Sequence, residues 1–284
     1  MTLAAHPIGV FDSGIGGLSV LQALQAELPH EQFVYLADNG HAPYGEKSDL
    51  YVRQRTHAIA RHLMAQHQIK ALVVACNTAT ASAIHELRAA YPQLPLVGVE
   101  PALKPALALS QTRRIGVIAT RGTVQSEKFA RLLASVQDQA EFVVQACNGL
   151  ALAIEQSTLP QQAQAAQAQI RELLGSYTSG MGTFGTAPGQ IDTLVLGCTH
   201  YVFAQAELQA LLGPSVRLVT TGEAVARQTR RLLDSAGLLR AGPAPLSTAA
   251  RAQLLTTGDL HGLQSAAGRW LGLPASSCHT APAV

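Results

Sequence analysis

Charge and aromatic rings are scarce in this chain: 13% of its 284 residues are charged and 5% are aromatic, with a single Trp. The formal net charge is only +2, and the arginine cluster of Arg227, Arg230 and Arg231 has the spacing of one solvated helix face. Without a basic surface to hold phosphates, nucleic acid is not an expected partner. No run reaches the ~18 apolar residues of a membrane helix, so a membrane is not expected either. Met1 to Val10 also lacks the charged and apolar regions of a secretory leader, and the expected location is cytoplasmic. Cysteines are few, four in all, at 76, 147, 198 and 278. They lie too far apart for a CxxC-type zinc or redox motif, and a reducing compartment keeps them as thiols, so no metal and no disulfide are expected.

What is present is the composition of a globular protein, with 48% hydrophobic residues. Its length suits one large domain or two of roughly 100 to 150 residues each. Two stretches stand out. Leu72-Val73-Val74-Ala75-Cys76-Asn77-Thr78 and Leu194-Val195-Leu196-Gly197-Cys198-Thr199-His200 each run as a short apolar strand into a cysteine, then into small polar residues and a helical pattern. A thiol at such a turn faces free backbone N–H groups and the positive end of a helix, so its pKa is expected to fall below the free value of about 8.5. A lone cysteine would be read as a small core residue; the repeated context makes these two a proton-transfer pair. Cys147 is read as structural.

The chain opens with a strand at Ile8 to Phe11, a tight loop Asp12-Ser13-Gly14-Ile15-Gly16-Gly17, and a helix from Leu18 to Leu28 stopped by Pro29. The loop fails as a dinucleotide fingerprint because Ser19 stands where the third Gly belongs, and no P-loop Lys follows. Asp12 and Ser13 instead occupy a strand's carboxyl end, where open α/β sheets bind ligands. Asp12 could equally be a turn cap. Phe33 to Ala37 is a second strand, the loop 38–45 follows, and Ser48 caps a helix whose inner face is Val52, Thr56, Ile59 and Leu63. Tyr44 of that loop either closes over a small ligand or packs locally. The third unit carries Cys76 with a helix from about Thr80 to Tyr91, and Leu96 to Val99 is the fourth strand.

This array then recurs. Strands starting at residues 115, 141, 193 and 216 repeat those starting at 8, 33, 71 and 95, with offsets of 107, 108, 122 and 121. One insertion therefore separates the second and third strands of the later copy. Gln161 to Leu174 reads as an exposed helix and the glycine-rich 177–190 as a mobile loop. A helix from Glu223 to about Ser235 follows, then an Ala/Pro-rich connection, a strand at Leu254 to Thr257, a helix around Gln264 to Leu271, and a frayed tail from Pro274 that contains Cys278.

The pattern predicts an α/β fold of two pseudo-symmetric, doubly wound domains with mainly parallel sheets. Residues 1–100, completed by 222–284, would form the first, and 101–221 the second. Related by a pseudo-twofold axis, the two thiols would face each other across the interdomain cleft.

The motifs FDSGIGGLSVL at 11–21, ADNGHAPYG at 37–45, ACNTATA at 75–81, GVIATRGTVQS at 116–126, LGCTHY at 196–201 and TTGD at 256–259 together closely resemble the glutamate racemases of the aspartate/glutamate racemase family. The resemblance runs in order along nearly the whole chain. It implies a cofactor-independent, two-base isomerase that interconverts L- and D-glutamate, supplying the D-enantiomer for peptidoglycan, cell-wall biogenesis and cell shape. By motif, Cys76 and Cys198 are the paired acid and base, Asp12 assists the first thiol, His200 assists the second, and Glu155 is a further auxiliary acid. Asp12, Ser13, Tyr44, Gly45, Asn77, Thr78, Thr199 and His200 match the residues that hold the substrate. No pyridoxal phosphate, metal or nucleotide is implied, and a homodimer is left open.

The chain departs from the family at Cys147-Asn148, where Cys-Pro is common, at Val202, where Pro is usual, and at Thr220-Thr221, where Asp-Ser is frequent. Three other readings stay beside this one. They are an aspartate racemase, a non-catalytic amino-acid-binding module, and a Cys–His hydrolase built on Cys198 and His200. The last is disfavoured because residues two apart at a strand end are expected to point to opposite faces.

Overall fold

The computed structural model describes residues 3–242 and 251–282. The expected Ala/Pro-rich connection falls largely at 243–250 and so lies outside the described residues. The chain opens as β1 (Ile8–Asp12), α1 (Leu18–Glu27), β2 (Phe33–Ala37), α2 (Asp49–His67), β3 (Ala71–Val74), α3 (Asn77–Ala90) and β4 (Leu96–Gly98). Then come α4 (Leu103–Leu109), β5 (Arg114–Ala119), α5 (Arg121–Val124), α6 (Glu127–Ala134), β6 (Glu141–Ala146), α7 (Leu150–Gln156), α8 (Ala163–Ser179), β7 (Thr193–Gly197), α9 (Gln205–Leu212) and β8 (Arg217–Val219). It closes with α10 (Gly222–Ser235), β9 (Ala252–Thr256), α11 (Leu260–Leu271) and β10 (Cys278–Thr280).

Two parallel sheets result, ordered β10-β9-β2-β1-β3-β4 and β6-β5-β7-β8. The order β2-β1-β3-β4 recurs as β6-β5-β7-β8, so the sequence repeat is a repeat of topology. β1, β2, β3 and β7 are buried at every position, which is why they read as unbroken apolar runs. In each sheet the strand order reverses between the first and third strand of the repeat, and ligands of open α/β sheets bind outside the carboxyl ends at that reversal. Phe11 pairs with Val74 and Ala119 with Gly197, so Asp12 sits beside the segment leading to Cys76, and Thr120 beside Cys198.

Helix starts are set by side chains. Ser48 accepts from Tyr51 N at 3.3 Å and caps α2 as expected. α3, expected from about Thr80, begins at Asn77, because the Cys76 sulfur itself accepts from Ala79 N at 3.5 Å and closes the first turn early. Asn77 and Thr78 therefore belong to a helix N-terminus at the sheet rim.

The carboxyl-terminal part departs most from expectation. The segment from Pro274 is not frayed over its described length: Cys278–Thr280 is the edge strand β10, paired with β9, and Cys278 is buried. Burial pushes this thiol up to about 11. The Gln161–Leu174 helix is amphipathic, burying Ala166, Ile170 and Leu174 within the longer α8. The glycine-rich 177–190 begins as the last turn of α8. It is then held by the Phe184–Ile191 bridge, by Ile191 N donating to Thr183 O at 2.9 Å, and by Arg114 Nη1 donating to Gly189 O at 2.6 Å.

β7, which delivers Cys198, is anchored at its other end by Asp192. This buried carboxylate accepts from Ser110 Oγ (2.6 Å), Gln111 N (2.6 Å), Thr112 N (3.0 Å) and Thr193 Oγ1 (2.9 Å). Burial pushes its pKa up, but those four donors outweigh burial and hold it below the usual carboxylate range. A depressed folded-state pKa gives stability that is present above the unfolded value of about 3.9 and lost as pH falls through the folded value. Asp192→Asn keeps one acceptor oxygen and turns an NH2 toward donors. It should cost about 1–3 kcal/mol at neutral pH, and denaturant titrations at neutral and strongly acid pH should show the gap from the parent narrowing toward acid.

Candidate active site

Asp12, at the last position of β1, is fully buried. Its Oδ1 accepts from Ser13 N at 2.7 Å and Ser13 Oγ at 3.3 Å, and its Oδ2 accepts from Thr199 Oγ1 at 3.1 Å. Cys76 Sγ lies 3.6 Å from Ser13 Oγ. In the same pocket, Cys198 is the last extended residue after β7, and a 3-10 turn begins at Thr199. That turn brings residue 200 round to the same side as the sulfur, so Cys198 Sγ and His200 Nδ1 are 3.7 Å apart. The expectation that they point apart is corrected: it assumed that the strand continues, whereas it stops at Gly197. His200 Nε2 then meets Glu155 Oε1 at 2.6 Å.

Glu155 reaches the site from α7. The helix follows Gly149, whose φ of +74° is a left-handed value that an L side chain would resist. The carbonyls before it are pinned by Tyr201 OH on Cys147 O (3.1 Å) and Tyr177 OH on Asn148 O (2.8 Å). These contacts set the turn before the helix. The glycine-rich loop after β1 explains itself here. A Cβ on Gly14 would overlap the Glu155 carboxylate, and one on Gly16 would fall on the His200 ring and 2.6 Å from Thr199 Oγ1. The glycines make room for the acid and the imidazole, not for a phosphate.

Both thiols line one pocket together with Ser13, Ala42, Pro43, Tyr44, Gly45, Asn77, Thr78, Thr120, Ala151, Glu155, Thr199 and His200. Every site residue expected from sequence lines this pocket except Asp12, which stands behind Ser13 and Thr199 and bonds to both. Tyr44 lines it with its hydroxyl already committed, donating to Asp38 Oδ2 at 2.5 Å. Asn77 has neither its Nδ2 nor its Oδ1 satisfied although both are buried. Such a side chain calls for a polar ligand. Sequence reasoning missed Thr120 and Thr123, which form a hydroxyl triangle with Thr78: Thr78–Thr120 3.0 Å, Thr120–Thr123 2.9 Å and Thr78–Thr123 3.4 Å. A signal for Thr120 existed, since the opening strands start at residues 8 and 115, an offset of 107, and that offset carries Ser13 onto Thr120. Among the described residues no group of three or more His, Cys, Asp or Glu has the arrangement of a metal site.

The electrostatics overturn one expectation. Burial first, and Asp12 second, push the Cys76 thiol well above its ordinary value, against the lowering hydrogen bonds from Ala79 N and Ser13. A helix start contributes about 0.3–1 kcal/mol, less than one pKa unit, whereas full desolvation shifts a group by about 3–5 units. Burial wins. It raises Asp12 as well, opposed mainly by the charge of His200. At His200 burial favours the neutral ring, but the hydrogen bonds to Cys198 and Glu155 and their charges prevail, and the imidazole is held well above its usual value. Cys147 does not line the pocket, and burial raises its thiol to about 12.

A family model described as Asp/Glu/Hydantoin racemase matches residues 8–229. The glutamate racemase of Ectopseudomonas mendocina is 47% identical over 272 residues, covering 96% of this chain and 97% of that protein. Among solved structures, a glutamate racemase isoform from Bacillus anthracis superposes with a TM-score of 0.81 at 30% identity, covering 98% of this chain and 97% of that one. The Escherichia coli glutamate racemase, solved with L-glutamate and the activator UDP-MurNAc-ala, does so with a TM-score of 0.77 at 30% identity over 93% of this chain and 95% of that one.

His200 gives a sign that can be checked. Its folded-state pKa is raised, so its contribution to stability is complete below the unfolded value of about 6.5 and is lost as pH rises through the folded value. The stability difference between the parent and His200→Gln, measured by denaturant unfolding from about pH 6 upward, should therefore shrink as pH rises. A difference that grows would contradict the charged His200–Glu155 pair.

Proposed function

Because the chain belongs to the Asp/Glu/hydantoin racemase family, we propose that it racemises glutamate with two thiols and no cofactor, supplying D-glutamate for peptidoglycan in the cytoplasm. The observation that carries this reading is that Cys76 and Cys198, from equivalent rims of two repeated sheets, line one pocket with different partners. Racemisation requires a base on one face of Cα and an acid on the other, and opposed thiolate and thiol meet that need. Cys198 takes the proton of L-glutamate while Cys76 returns one to the far face, and D-glutamate runs the other way. The contrast between the thiols fits these roles. Cys76, buried with Asp12, is held as the proton-bearing acid, whereas the His200 imidazolium places positive charge beside Cys198, where a base is needed for the L-enantiomer.

The substrate's carboxylates and ammonium have donors and acceptors to meet: the unsatisfied Asn77 amide, the hydroxyls of Ser13, Thr78, Thr120 and Thr199, and the start of α3. Removing them from water strengthens every such contact as charge builds at Cα. The bodies that part to admit the substrate are taken as residues 1–100 with 222–284 and residues 101–221. The line Cys198–His200–Glu155 is also the geometry of a Cys–His hydrolase. That reading leaves Cys76 without a role in the pocket it shares.

Dialysed, chelator-treated protein incubated with L-glutamate should lose optical activity, followed by circular dichroism, and aspartate should be turned over far more slowly. Cys76→Ala and Cys198→Ala should each lose at least ~100-fold in racemisation. Near-parental racemisation by either variant, or dependence on an added cofactor, would refute the two-thiol mechanism.

A further inference from the structure

The TTGD motif at 256–259 has no place in the pocket, yet it touches the site. β9, formed late in the chain, pairs with β2, and its last residue, Thr256, lies opposite Ala37. Thr256 Oγ1 accepts from Gly258 N at 3.0 Å and donates to Asn39 Oδ1 at 3.2 Å. With its oxygen so used, the Asn39 amide presents Nδ2 to Glu155 Oε2 at 2.7 Å. A carboxylate only accepts, so this amide orientation is fixed by its two partners. The other oxygen, Glu155 Oε1, accepts from Ile15 N at 2.6 Å and meets His200 Nε2 at 2.6 Å. His200 in turn faces Cys198. Asn39 lies behind Glu155 and outside the pocket lining.

We propose that Asn39, held by Thr256, is a positioning residue that fixes the Glu155 carboxylate and through it aims His200 at Cys198, so that β9 of the first sheet governs proton transfer chiefly at the second thiol. Every donor in the chain has one acceptor, and the direction is unbroken from Gly258 to Glu155. Cys76 has its own partners, Ser13, Asp12 and Ala79. Loss of the Asn39 amide leaves one oxygen of a nearly buried carboxylate unpaired and lets the Glu155–His200 pair turn.

The inference rests on the two-thiol reading and makes a prediction specific to one face. The enantiomers have equal free energy, so kcat/KM must fall equally in both directions, here by about 10-fold to 100-fold for loss of a bond to a charged group. The isotope effects should not change equally. In Asn39→Ala the effect on kcat/KM with α-deuterated L-glutamate, whose proton goes to Cys198, should rise above the parental value. With α-deuterated D-glutamate, deprotonated by Cys76, it should fall. Thr256→Val, which touches neither the pocket nor Glu155, should shift both effects the same way by a smaller amount and guards against misfolding of the first variant. Isotope effects that stay at parental values while activity drops would make Asn39 a merely structural residue and overturn the proposal. A parent protein that racemises no glutamate would overturn the underlying reading instead, so the two failures are distinct.

Discussion

The site depends on one carboxylate. Glu155 is almost buried, and an ionised acid in that position is tolerated only when its oxygens are satisfied. Its partners come from separated parts of the chain: Ile15 in the loop after β1, Asn39 in the loop after β2, and His200 after β7. The same atoms that satisfy the charge thereby draw the rims of the two sheets together, and Asp12 reciprocates by accepting from Thr199. Each sheet thus sends an acid to the other's motif. The glycines of the first loop are the steric condition for this exchange, since a methyl group at 14 or 16 would occupy the space of the crossing side chains.

Much of the fold was legible because its signals are local. Apolar runs of strand length, glycine loops and Pro stops recur at nearly constant offsets, and the recurrence carries the topology as well as the elements. The strands read at 8, 33, 71, 115, 141 and 193 start within a residue of those found. β10 was invisible because three residues, Cys278-His279-Thr280, have no periodicity to read, and their strand exists only because β9 offers an edge. The early start of α3 was missed because a sulfur is a weak, unusual cap. At the site, the residues carried by motif line or border one pocket, whereas Asn39 and Thr123 had not been singled out. Asn39 reads as one more turn former, and only the fold puts it behind Glu155.

The thiols show how far an electrostatic rule of thumb carries. A helix start lowers a thiol's pKa when solvent remains to stabilise the thiolate, as in exposed reactive cysteines. Here the same backbone donor, Ala79 N, is present and is overruled by burial and by the neighbouring carboxylate. The two cysteines occupy equivalent positions in a repeated topology and are nevertheless made different by what lies next to them, a carboxylate and a hydroxyl at one and an imidazole at the other. Symmetry of the backbone supplies two equivalent positions, and asymmetry of the neighbours gives each its own surroundings.

The return of the chain to the first sheet has a consequence for biosynthesis. β2 finds its second neighbour only in β9, so while residues up to about 250 are being made, at roughly 5–20 residues per second, that strand presents an open edge beside a finished β1. Asp38 and Asn39 likewise wait for Thr257 and Thr256. The second sheet, complete by Val219, can close while the first is still short of two strands. A nascent chain therefore carries Cys76 and Cys198 for some time before Thr256 arrives to hold Asn39, and truncation ahead of Thr256 removes that hold although the pocket-lining side chains have all been synthesised.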